Sequence, residues 1–374
     1  MAIGGEPMSL RLMSIGDMLI HMEIVGAAKG DYTMLFQNMK ELFSQADIVT
    51  CNQETLLTDR VPPSGFPVFA TPTAVGYAEM EAGISLVTCA SNHTLDQWEK
   101  GMVDETAFWK AHPQMAAVGI REKGKPFVPT VLERNGIRLA FLTYTDPMNF
   151  RLNLPWWKYY VETLHFYRKG TIAKQIATVK RAADAVVVLP HWGTEYLYAP
   201  TKSQRKWAQF LADAGADLII GTHPHVLQPV EDITAKDGRT VPVFYSLGNF
   251  VSAQKRPGTM LGGMADCTWE KTQNGIKISH YELKPLVAAT DEEFSTFTVF
   301  PLSEYPDYWS EKNKLFKNIW EQHGVKTDRA YLEQLFQDIL SGEAQRNNPF
   351  QTPADVLWYN IHRIWGVITK GGKK

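Results

Sequence analysis

Six strand-like apolar runs in this 374-residue chain each end in a residue that can bind a metal ion. The side chains that follow them are carboxylates, amides and imidazoles: Asp17, Asn52 with Glu54, Asn92 with His93, His191, His223 with His225, and Asn249. In α/β folds the loops at the carboxyl ends of parallel strands converge, and ligands bind there. The six segments are therefore predicted to form one site at a shared sheet edge.

Strand-like and helix-like segments alternate from about Leu10 to Ile220, which is typical of an α/β sheet with crossover helices. The predicted helices are Met34–Ser44, Thr73–Ala82, Gly101–Ala111, Thr171–Ala183 and Ser203–Ala214. Two Asn-Gly pairs, Asn135-Gly136 and Asn274-Gly275, lie between apolar runs and favour tight hairpin turns. The sheet is therefore predicted to be mixed.

The sequence pattern changes after about Pro285. From Tyr305 onward it is helical and rich in aromatic residues, as at Trp309 and Phe336, and a further helical stretch is predicted at Ala354–Ile368. We predict a main domain at residues 9–290 and a helical C-terminal extension, residues 291–374, packed on it.

Composition excludes some classes of function. A net charge of −2 and the lack of a basic run before the Lys-rich end argue against nucleic-acid binding. No signal-peptide pattern precedes Asp17, and no apolar stretch approaches the ~20 residues that span a membrane. The chain as given is expected to be soluble and cytoplasmic, or extracytoplasmic if an anchor segment has been removed. Three cysteines form no paired motif, and Cys51 and Cys89 are predicted to be buried core residues.

Each motif has an ordinary structural explanation when taken alone. Proline makes His223-Pro224-His225 a rigid way to present two imidazoles, but Asn92-His93 can be a turn and His191 a core histidine. Asp17 can equally be a helix cap. Together, the carboxylates, amide and imidazoles form the mixed O/N set that suits Mn, Zn or Fe. We therefore predict a dinuclear divalent-metal site, which could lower the pKa of a bound water toward ~7.

Six motifs, in this order, carry a resemblance to a known family: Gly16-Asp17, Asn52-Gln53-Glu54, Ser91-Asn92-His93-Thr94-Leu95-Asp96, His191-Trp192-Gly193-Thr194-Glu195, Gly221-Thr222-His223-Pro224-His225-Val226-Leu227-Gln228 and Ser246-Leu247-Gly248-Asn249-Phe250. They are similar to calcineurin-type metallophosphoesterases and, more specifically, resemble the capsule-synthesis (CapA-type, poly-γ-glutamate biosynthesis) family over roughly Leu10–Leu283. The resemblance implies a four-layer α/β/β/α sandwich of two mixed sheets, with the metal site at their shared edge.

The resemblance also implies two sets of metal ligands. The first metal would be held by Asp17, Glu54 and His225. The second would be held by Glu54, Asn92, His191 and His223. Glu54 would bridge the two metals in place of the family's usual aspartate.

Two further residues are predicted to act in catalysis. His93 matches the family's general acid, which must lie near the metals without binding them. Asp96 is predicted either to orient His93 and fix its tautomer, or to cap the following helix. The phosphoesterase Asp-x-His pattern reads Asp17-Met18-Leu19 here, so its histidine is absent and His21 is predicted to compensate as a metal ligand.

Two other polar residues of these motifs have open roles. Glu195 is predicted either to support a ligand histidine or to be a solvated loop carboxylate. Asn249 is predicted either to brace the loops or to contact substrate.

An aromatic segment, Pro155–Tyr160, lies in a long connection, and such connections often form lids. With Lys158, Arg151 and Lys169 nearby it would suit a polymer that carries carboxylates. The alternative is that its rings pack against the C-terminal helices.

Three functions remain open. The leading one is a metal-dependent hydrolase that uses metal-activated water on a carboxylate-rich, peptide-like or cell-envelope polymer. The second is a metal-dependent peptide epimerase that abstracts a Cα proton. The third is a non-catalytic accessory subunit of a polymer synthase or export complex, with membrane-associated synthase partners.

Overall fold

Two mixed β-sheets form the centre of the protein, whose computed structural model describes residues 8–146, 148–149, 153–314 and 328–344. The strands are β1 (Met8–Met18), β2 (Ile48–Asn52), β3 (Leu86–Thr88), β4 (Ala116–Val118), β5 (Ile120–Glu122), β6 (Thr130–Arg134), β7 (Ile137–Asp146), β8 (Tyr159–Val161), β9 (Ala185–Trp192), β10 (Leu218–Ile220), β11 (Leu227–Thr234), β12 (Thr240–Leu247), β13 (Asn249–Val251), β14 (Leu261–Thr272), β15 (Gly275–Thr290) and β16 (Phe297–Pro301). The α-helices are α1 (Met22–Ala28), α2 (Lys40–Phe43), α3 (Ala74–Glu81), α4 (Trp98–Ala111), α5 (Lys169–Lys180), α6 (Lys202–Ala214), α7 (Asp307–Lys312) and α8 (Arg329–Ser341). Short 3₁₀ turns lie at Thr33–Leu35, Phe166–Arg168, Pro257–Thr259 and Leu302–Glu304.

Each sheet has a parallel centre with antiparallel strands added. The first has the order β16-β15-β14-β1-β2-β3-β4, with β13 beside β1, and its strands β1 to β4 run parallel. The second has the order β11-β12-β10-β9-β7-β6, in which β12, β10, β9 and β7 run parallel.

The predicted hairpins are confirmed: Asn135-Gly136 joins β6 to β7, and Asn274-Gly275 joins β14 to β15. Asn135 and Gly136 both have positive φ angles, 50° and 75°, as a type I′ turn requires.

Three apolar cores separate four layers. Leu12 and Ile48 of the first sheet meet Val187 and Phe244 of the second between the sheets. The outer face of the first sheet packs on α1 to α4, and the outer face of the second on α5 and α6. The predicted α/β/β/α sandwich of two mixed sheets is therefore confirmed.

The run of apolar residues in β9 follows from this layering. Ala185, Val187 and Leu189 face the core between the sheets, whereas Val186 and Val188 face the helices. Successive strand residues point to opposite faces, so a strand covered on both sides needs apolar residues at every position.

The chain after residue 290 differs in part from the helical prediction. Phe297–Pro301 is a strand, β16, which pairs antiparallel with β15 at the edge of the first sheet. Its first three residues are buried, because the edge of the sheet needs an apolar cover. Helices α7 and α8 confirm helix within the extension, and α8 packs with Val226 and Leu261 of the main domain. The predicted helix at Ala354–Ile368 lies outside the described residues.

Four of the five predicted helices of the main domain are confirmed within a few residues, as α3 to α6. The predicted helix Met34–Ser44 is wrong over most of its length. It is a 3₁₀ turn at Thr33–Leu35 and one short helix, α2. Between them, Asn38 donates a hydrogen bond to Thr298 of β16, so a tertiary contact overrides helical propensity.

None of the described helices is both long enough and apolar enough to cross a bilayer.

Candidate metal centre

The six polar strand ends lie together because the chain passes from one sheet to the other beside them. Strand β12 belongs to the second sheet and ends at Leu247, and β13 begins at Asn249 in the first sheet. There Asn249 pairs with Asp17 of β1, whose N–H donates to the Gly248 carbonyl at 2.9 Å. A Cβ on Gly16 would lie 1.9 Å from that carbonyl oxygen, so only glycine fits before Asp17.

Buried carboxylates and imidazoles from both sheets face one another at this edge. Two groups have their potential ligand atoms within 4.8 Å of each other: Asp17, Glu54 and His225, and Glu54, His191 and His223. These side chains are all buried. Both groups belong to the ligand sets that the family resemblance implies, and metal binding by them stays a prediction.

Glu54 is the least satisfied side chain of the centre. It is fully buried, and neither carboxylate oxygen has a hydrogen-bond partner among the described residues. Burial, with the negative charges of Asp17 and Glu195 nearby, raises its pKa well above the ordinary value. Because a buried, unpartnered carboxylate is costly, the site suits a divalent cation beside Glu54.

The donor atoms around His191 converge in the same way. Its Nε2 lies 2.9 Å from Asn92 Oδ1 and 3.1 Å from His223 Nδ1. Ligand atoms around a metal with bonds of ~2.1 Å are about 3 Å apart. Burial, together with the charges of His223 and His225, lowers the pKa of His191 well below its ordinary value. The ring is therefore held in the neutral form that a metal ligand needs.

Asp17 is fixed by donors from both sheets. Its carboxylate accepts hydrogen bonds from Asn52 Nδ2 at 2.8 Å and from the backbone N–H of His223 at 3.1 Å. Asp17 lies in β1 and does not cap a helix: α1 begins after His21. The helix-cap alternative for Asp17 is therefore wrong.

Asn249 sets the tautomer of His225. The amide nitrogen of Asn249 donates to the oxygens of Ser252, Gln254 and Thr259. Its Oδ1 must therefore accept, at 3.0 Å, from Nδ1–H of His225, which leaves Nε2 free to face Glu54. Burial lowers the pKa of His225, but the hydrogen bond and charge of Asp17 outweigh it and the pKa is raised. Of the two predicted roles of Asn249, the structure agrees with the bracing of the loops.

The two histidines around Pro224 have unusual backbone angles. His223 and His225 have φ angles of 98° and 59°, in the left-handed region that favours glycine. Each such residue costs of the order of 1–3 kcal/mol, and such strain clusters at functional sites. The backbone N–H of Tyr196 donates to the Pro224 carbonyl at 2.7 Å and helps to hold the loop.

His93 lies outside both groups, as a general acid requires. Its Nδ1 is 2.7 Å from Asp96 Oδ2, which also accepts from the backbone N–H of Phe69 at 2.7 Å. The Phe69 ring meets the His93 ring edge-on at 4.8 Å. Helix α4 has Gln97 as its N-cap, so the alternative in which Asp96 caps it is wrong. The geometry agrees with Asp96 orienting His93, whose catalytic role stays a prediction.

His21 is placed differently from the other predicted ligands. It belongs to none of the clusters of potential ligand atoms among the described residues. Its Nδ1 lies 3.2 Å from the Leu19 carbonyl and 3.3 Å from the Ala253 amide nitrogen, and burial lowers its pKa to about 4. Instead, a third cluster comprises Glu195, His223 and His225. Glu195 is 7% exposed, so the solvated-loop alternative for it is wrong.

Two further asparagines contact the centre: Asn52, which the sequence grouped with Glu54 without a separate role, and Asn149, which the sequence did not single out. Asn52 bonds Asp17 and lies 3.2 Å from His191 Nδ1, and its position at the end of β2 was an available signal. Asn149 Nδ2 lies 3.4 Å from His93 Nδ1. No motif surrounds Asn149, so only the folded chain identifies it.

The aromatic segment Pro155–Tyr160 packs on the main domain. Trp157 and Tyr159 are buried with Leu56 and Met102, whereas Trp156 is 77% exposed. Trp157 and Tyr159 therefore pack with the main domain and not with α7 or α8, whereas the predicted helix at Ala354–Ile368 lies outside the described residues.

Of the two described cations proposed to accompany this segment, Lys158 lies 5.5 Å from the centre of the Tyr159 ring, whereas Lys169 packs elsewhere. Lys158 is exposed, and Lys169 lies over the rings of Trp207 and Phe210. Arg151 lies outside the described residues.

A basic cavity of about 480 Å³ lies at the same sheet edge. Lys123, His165, Arg168 and Thr163 line it, and Arg168 is paired with Glu162. Thr163 bridges to Thr145, which pairs with His191 across β7 and β9. The cavity therefore lies near the metal centre.

Comparisons with known proteins were made for sequence and for structure. The model of the family described as bacterial capsule synthesis protein PGA_cap matches residues 11–254. The capsule biosynthesis protein CapA of Bacillus anthracis is 34% identical over 263 residues, 67% of this chain and 61% of that protein. The PGA biosynthesis protein CapA of Bacillus subtilis (strain 168) is 29% identical over 64% of this chain and 62% of that protein. The chain thus spans less than two thirds of the length of these relatives.

Among solved structures, the calcineurin-like phosphoesterase YfkN of Bacillus subtilis is 14% identical. The match has a TM-score of 0.44 and covers 87% of this chain and 99% of that one.

Proposed function

Because this chain belongs to the bacterial capsule synthesis protein family PGA_cap, we propose that its buried centre binds divalent metal and hydrolyses a carboxylate-rich, peptide-like polymer. The observation that carries the proposal is Glu54, a fully buried carboxylate with no hydrogen-bond partner among the described residues, which faces Asp17 and three histidines. A cation at this position would satisfy charges that the protein alone leaves unpaired.

A divalent metal bound there would lower the pKa of a coordinated water toward ~7 and stabilise developing negative charge on the substrate. The protein's own contribution is the fixed donor set. Asp17 is held by Asn52, and His225 by Asn249, so both ligands are oriented before the metal binds.

His93 would supply the proton to the leaving group. Asp96 accepts a hydrogen bond from Nδ1–H of His93, so the proton for the leaving group would come from Nε2–H of the imidazolium form, which returns to the neutral ring. Burial of the ring beside Phe69 limits exchange of that proton with bulk water.

The basic cavity supports the proposed class of substrate. Lys123, His165 and Arg168 would attract a chain that carries carboxylates, and Tyr160 and Tyr167 add flat surfaces against it. The names of the CapA relatives, which refer to capsule and PGA biosynthesis, support the same class.

Metal binding is tested by elemental analysis of protein purified without chelator, for the wild type and His223→Ala. We expect bound transition metal that falls at least about tenfold in the variant, because His223 faces both Glu54 and His191. His280→Ala is the matched control, since His280 is exposed on β15. No metal in the wild type after incubation with Mn²⁺ or Zn²⁺ would contradict the proposal.

The reaction is tested with γ-linked glutamyl polymers, α-linked glutamyl peptides and phosphomonoesters. We expect the wild-type protein to cut a glutamyl polymer into shorter chains, and the His223→Ala variant to leave the polymer intact. Solvent deuterium at Cα without shorter chains would indicate epimerisation instead. No change in any substrate by a metal-loaded protein would favour an accessory role.

A further inference from the structure

The loop after β9 is tied to the histidine pair of the centre. The chain turns at Gly193 and Tyr196, which have φ angles of 99° and 65°. The backbone N–H of Tyr196 then donates to the Pro224 carbonyl at 2.7 Å. Glu195 precedes Tyr196, so this bond places its side chain beside His223-Pro224-His225.

The carboxylate of Glu195 faces the same space as the predicted ligands. Its oxygen and the ring nitrogens of His223 and His225 all lie within 4.8 Å of one another. Its negative charge also acts on Glu54 and on His225, as expected for a group inside the centre. A buried carboxylate that faces two imidazoles is an arrangement that suits a bound cation.

The phosphoesterase pattern has a further ligand at a position where this chain has no donor side chain. Leu19 stands where Asp-x-His places its histidine, and Leu19 is buried and apolar. His21, the nearest candidate in sequence, contacts the Leu19 carbonyl and the Ala253 amide instead. Glu195 reaches the centre from a different loop.

We propose that Glu195 is itself a metal ligand, shared with His223 and His225, which supplies the donor that Leu19 does not. This inference rests on the proposed metal centre. It also predicts the choice of metal, because Asp17, Glu54 and Glu195 give a carboxylate-rich donor set that suits Mn²⁺ more than a histidine-rich set would.

The test is equilibrium titration of metal-free protein with Mn²⁺, followed by the electron paramagnetic resonance signal of the free ion. Wild type, Glu195→Gln and the control Glu105→Gln are compared, since Glu105 of α4 is also buried but lies near Cys89, away from the centre. We expect Glu195→Gln to weaken Mn²⁺ binding by about 100-fold or more, beyond the ~10–100-fold typical of groups that only support a ligand. Glu105→Gln should bind like the wild type.

Thermal unfolding separates a ligand from a structural residue. Glu195 is a buried carboxylate, and a buried negative charge without a bound cation is costly. Glu195→Gln should therefore unfold at the same or a higher temperature than the wild type without metal, and gain less from added Mn²⁺. A structural residue would instead lower the midpoint of the metal-free protein.

Each outcome decides one claim. Wild-type protein that takes up no Mn²⁺ or Zn²⁺ would overturn the proposed function and the inference with it. If the wild type binds Mn²⁺ and Glu195→Gln binds it equally tightly, the inference is overturned and the proposed function is not. If Glu195→Gln does not fold, Glu195→Asp is tested instead. The shorter side chain keeps the charge but moves it back by one methylene group. Weakened binding by that folded variant supports the inference, and unchanged binding overturns it.

Discussion

At the scale of single residues, the proposed chemistry depends on the orientation of one ring. His93 is held on one side by Asp96 and covered by Phe69, whose backbone N–H donates to the same carboxylate oxygen. A ring held in this way presents the same nitrogen to the site in every molecule. Without the carboxylate, either tautomer of His93 is possible.

We expect Asp96→Asn to lower kcat for the glutamyl polymer by about 100-fold, within the range typical of general acid–base catalysis. Bound metal and KM should stay near the wild-type values, because Asp96 belongs to none of the ligand clusters of the described residues. Steady-state kinetics with elemental analysis checks both. Asp104→Asn is the control, since Asp104 bonds Arg60 and Thr58 away from the centre. An unchanged kcat would remove Asp96 from the mechanism.

The sequence predicted which residues meet better than how each is oriented. Asp17 and Glu54 follow strands, so the edge of the sheet brings them together whatever the loops do. His21 was proposed because it is two residues from the missing histidine, yet its ring turns to local backbone groups. Glu195 depends on the positive φ angle of Tyr196 and one backbone bond to Pro224, and neither can be read from residue types.

At the scale of elements, helices α3 and α4 bring two carboxylic acids against the first sheet. Glu79 of α3 accepts a hydrogen bond from Cys51 Sγ at 3.6 Å, and Glu105 of α4 lies near Cys89. Burial raises the pKa of both carboxyls to about 8, against ~4.5 in an unfolded chain. They are therefore protonated in the folded protein at neutral pH. Their contribution to stability is present below pH ~4.5 and is lost as the pH rises through about 8.

We expect Glu79→Gln to raise the thermal midpoint by roughly 2–4 °C at pH 9, equivalent to ~1 kcal/mol, and to leave it unchanged at pH 5. The amide replaces a group that must otherwise be charged in an apolar site or take up a proton at high pH. Circular dichroism melts at both pH values, at fixed metal content, provide the measurement. Glu81→Gln is the control, since Glu81 is exposed on the same helix. A lower midpoint at both pH values would contradict the explanation.

The elements that sequence predicted best are those set by local chemistry. Asn135-Gly136 gives a turn because both residues accept positive φ angles. The capping box of Thr201 and Gln204 starts α6, and Trp207 and Leu211 then face the core. Strand β16 is different, because its five residues acquire their conformation by pairing with β15. A composition change in the sequence could not reveal that pairing.

At the scale of the whole molecule, the centre joins the two sheets. Asp17, Glu54 and Asn92 come from the first sheet and its loops, and His191 and His223 from the second. Without a cation, burial and the negative charges of Asp17 and Glu195 make ionisation of Glu54 costly. The metal-free protein should therefore be less stable as a unit, and not only at its loops.

We expect chelation to lower the thermal midpoint of the metal-loaded protein more at pH 8 than at pH 5.5. The pKa of Glu54 is raised in the folded protein, so its protonated form stabilises the metal-free state below pH ~4.5, and that stability is lost as the pH rises through the folded pKa. Metal binding displaces the proton from Glu54. The stabilisation by bound metal is about 2.7 kcal/mol at a free metal concentration 100 times Kd. This stabilisation is therefore greatest at the higher pH. Scanning calorimetry with and without chelator measures the difference.

The control variant Glu54→Gln should unfold at almost the same temperature with and without chelator, because it lacks the bridging charge. A wild-type protein that holds metal by elemental analysis, yet melts identically with and without chelator at pH 8, would show that the centre does not couple the sheets.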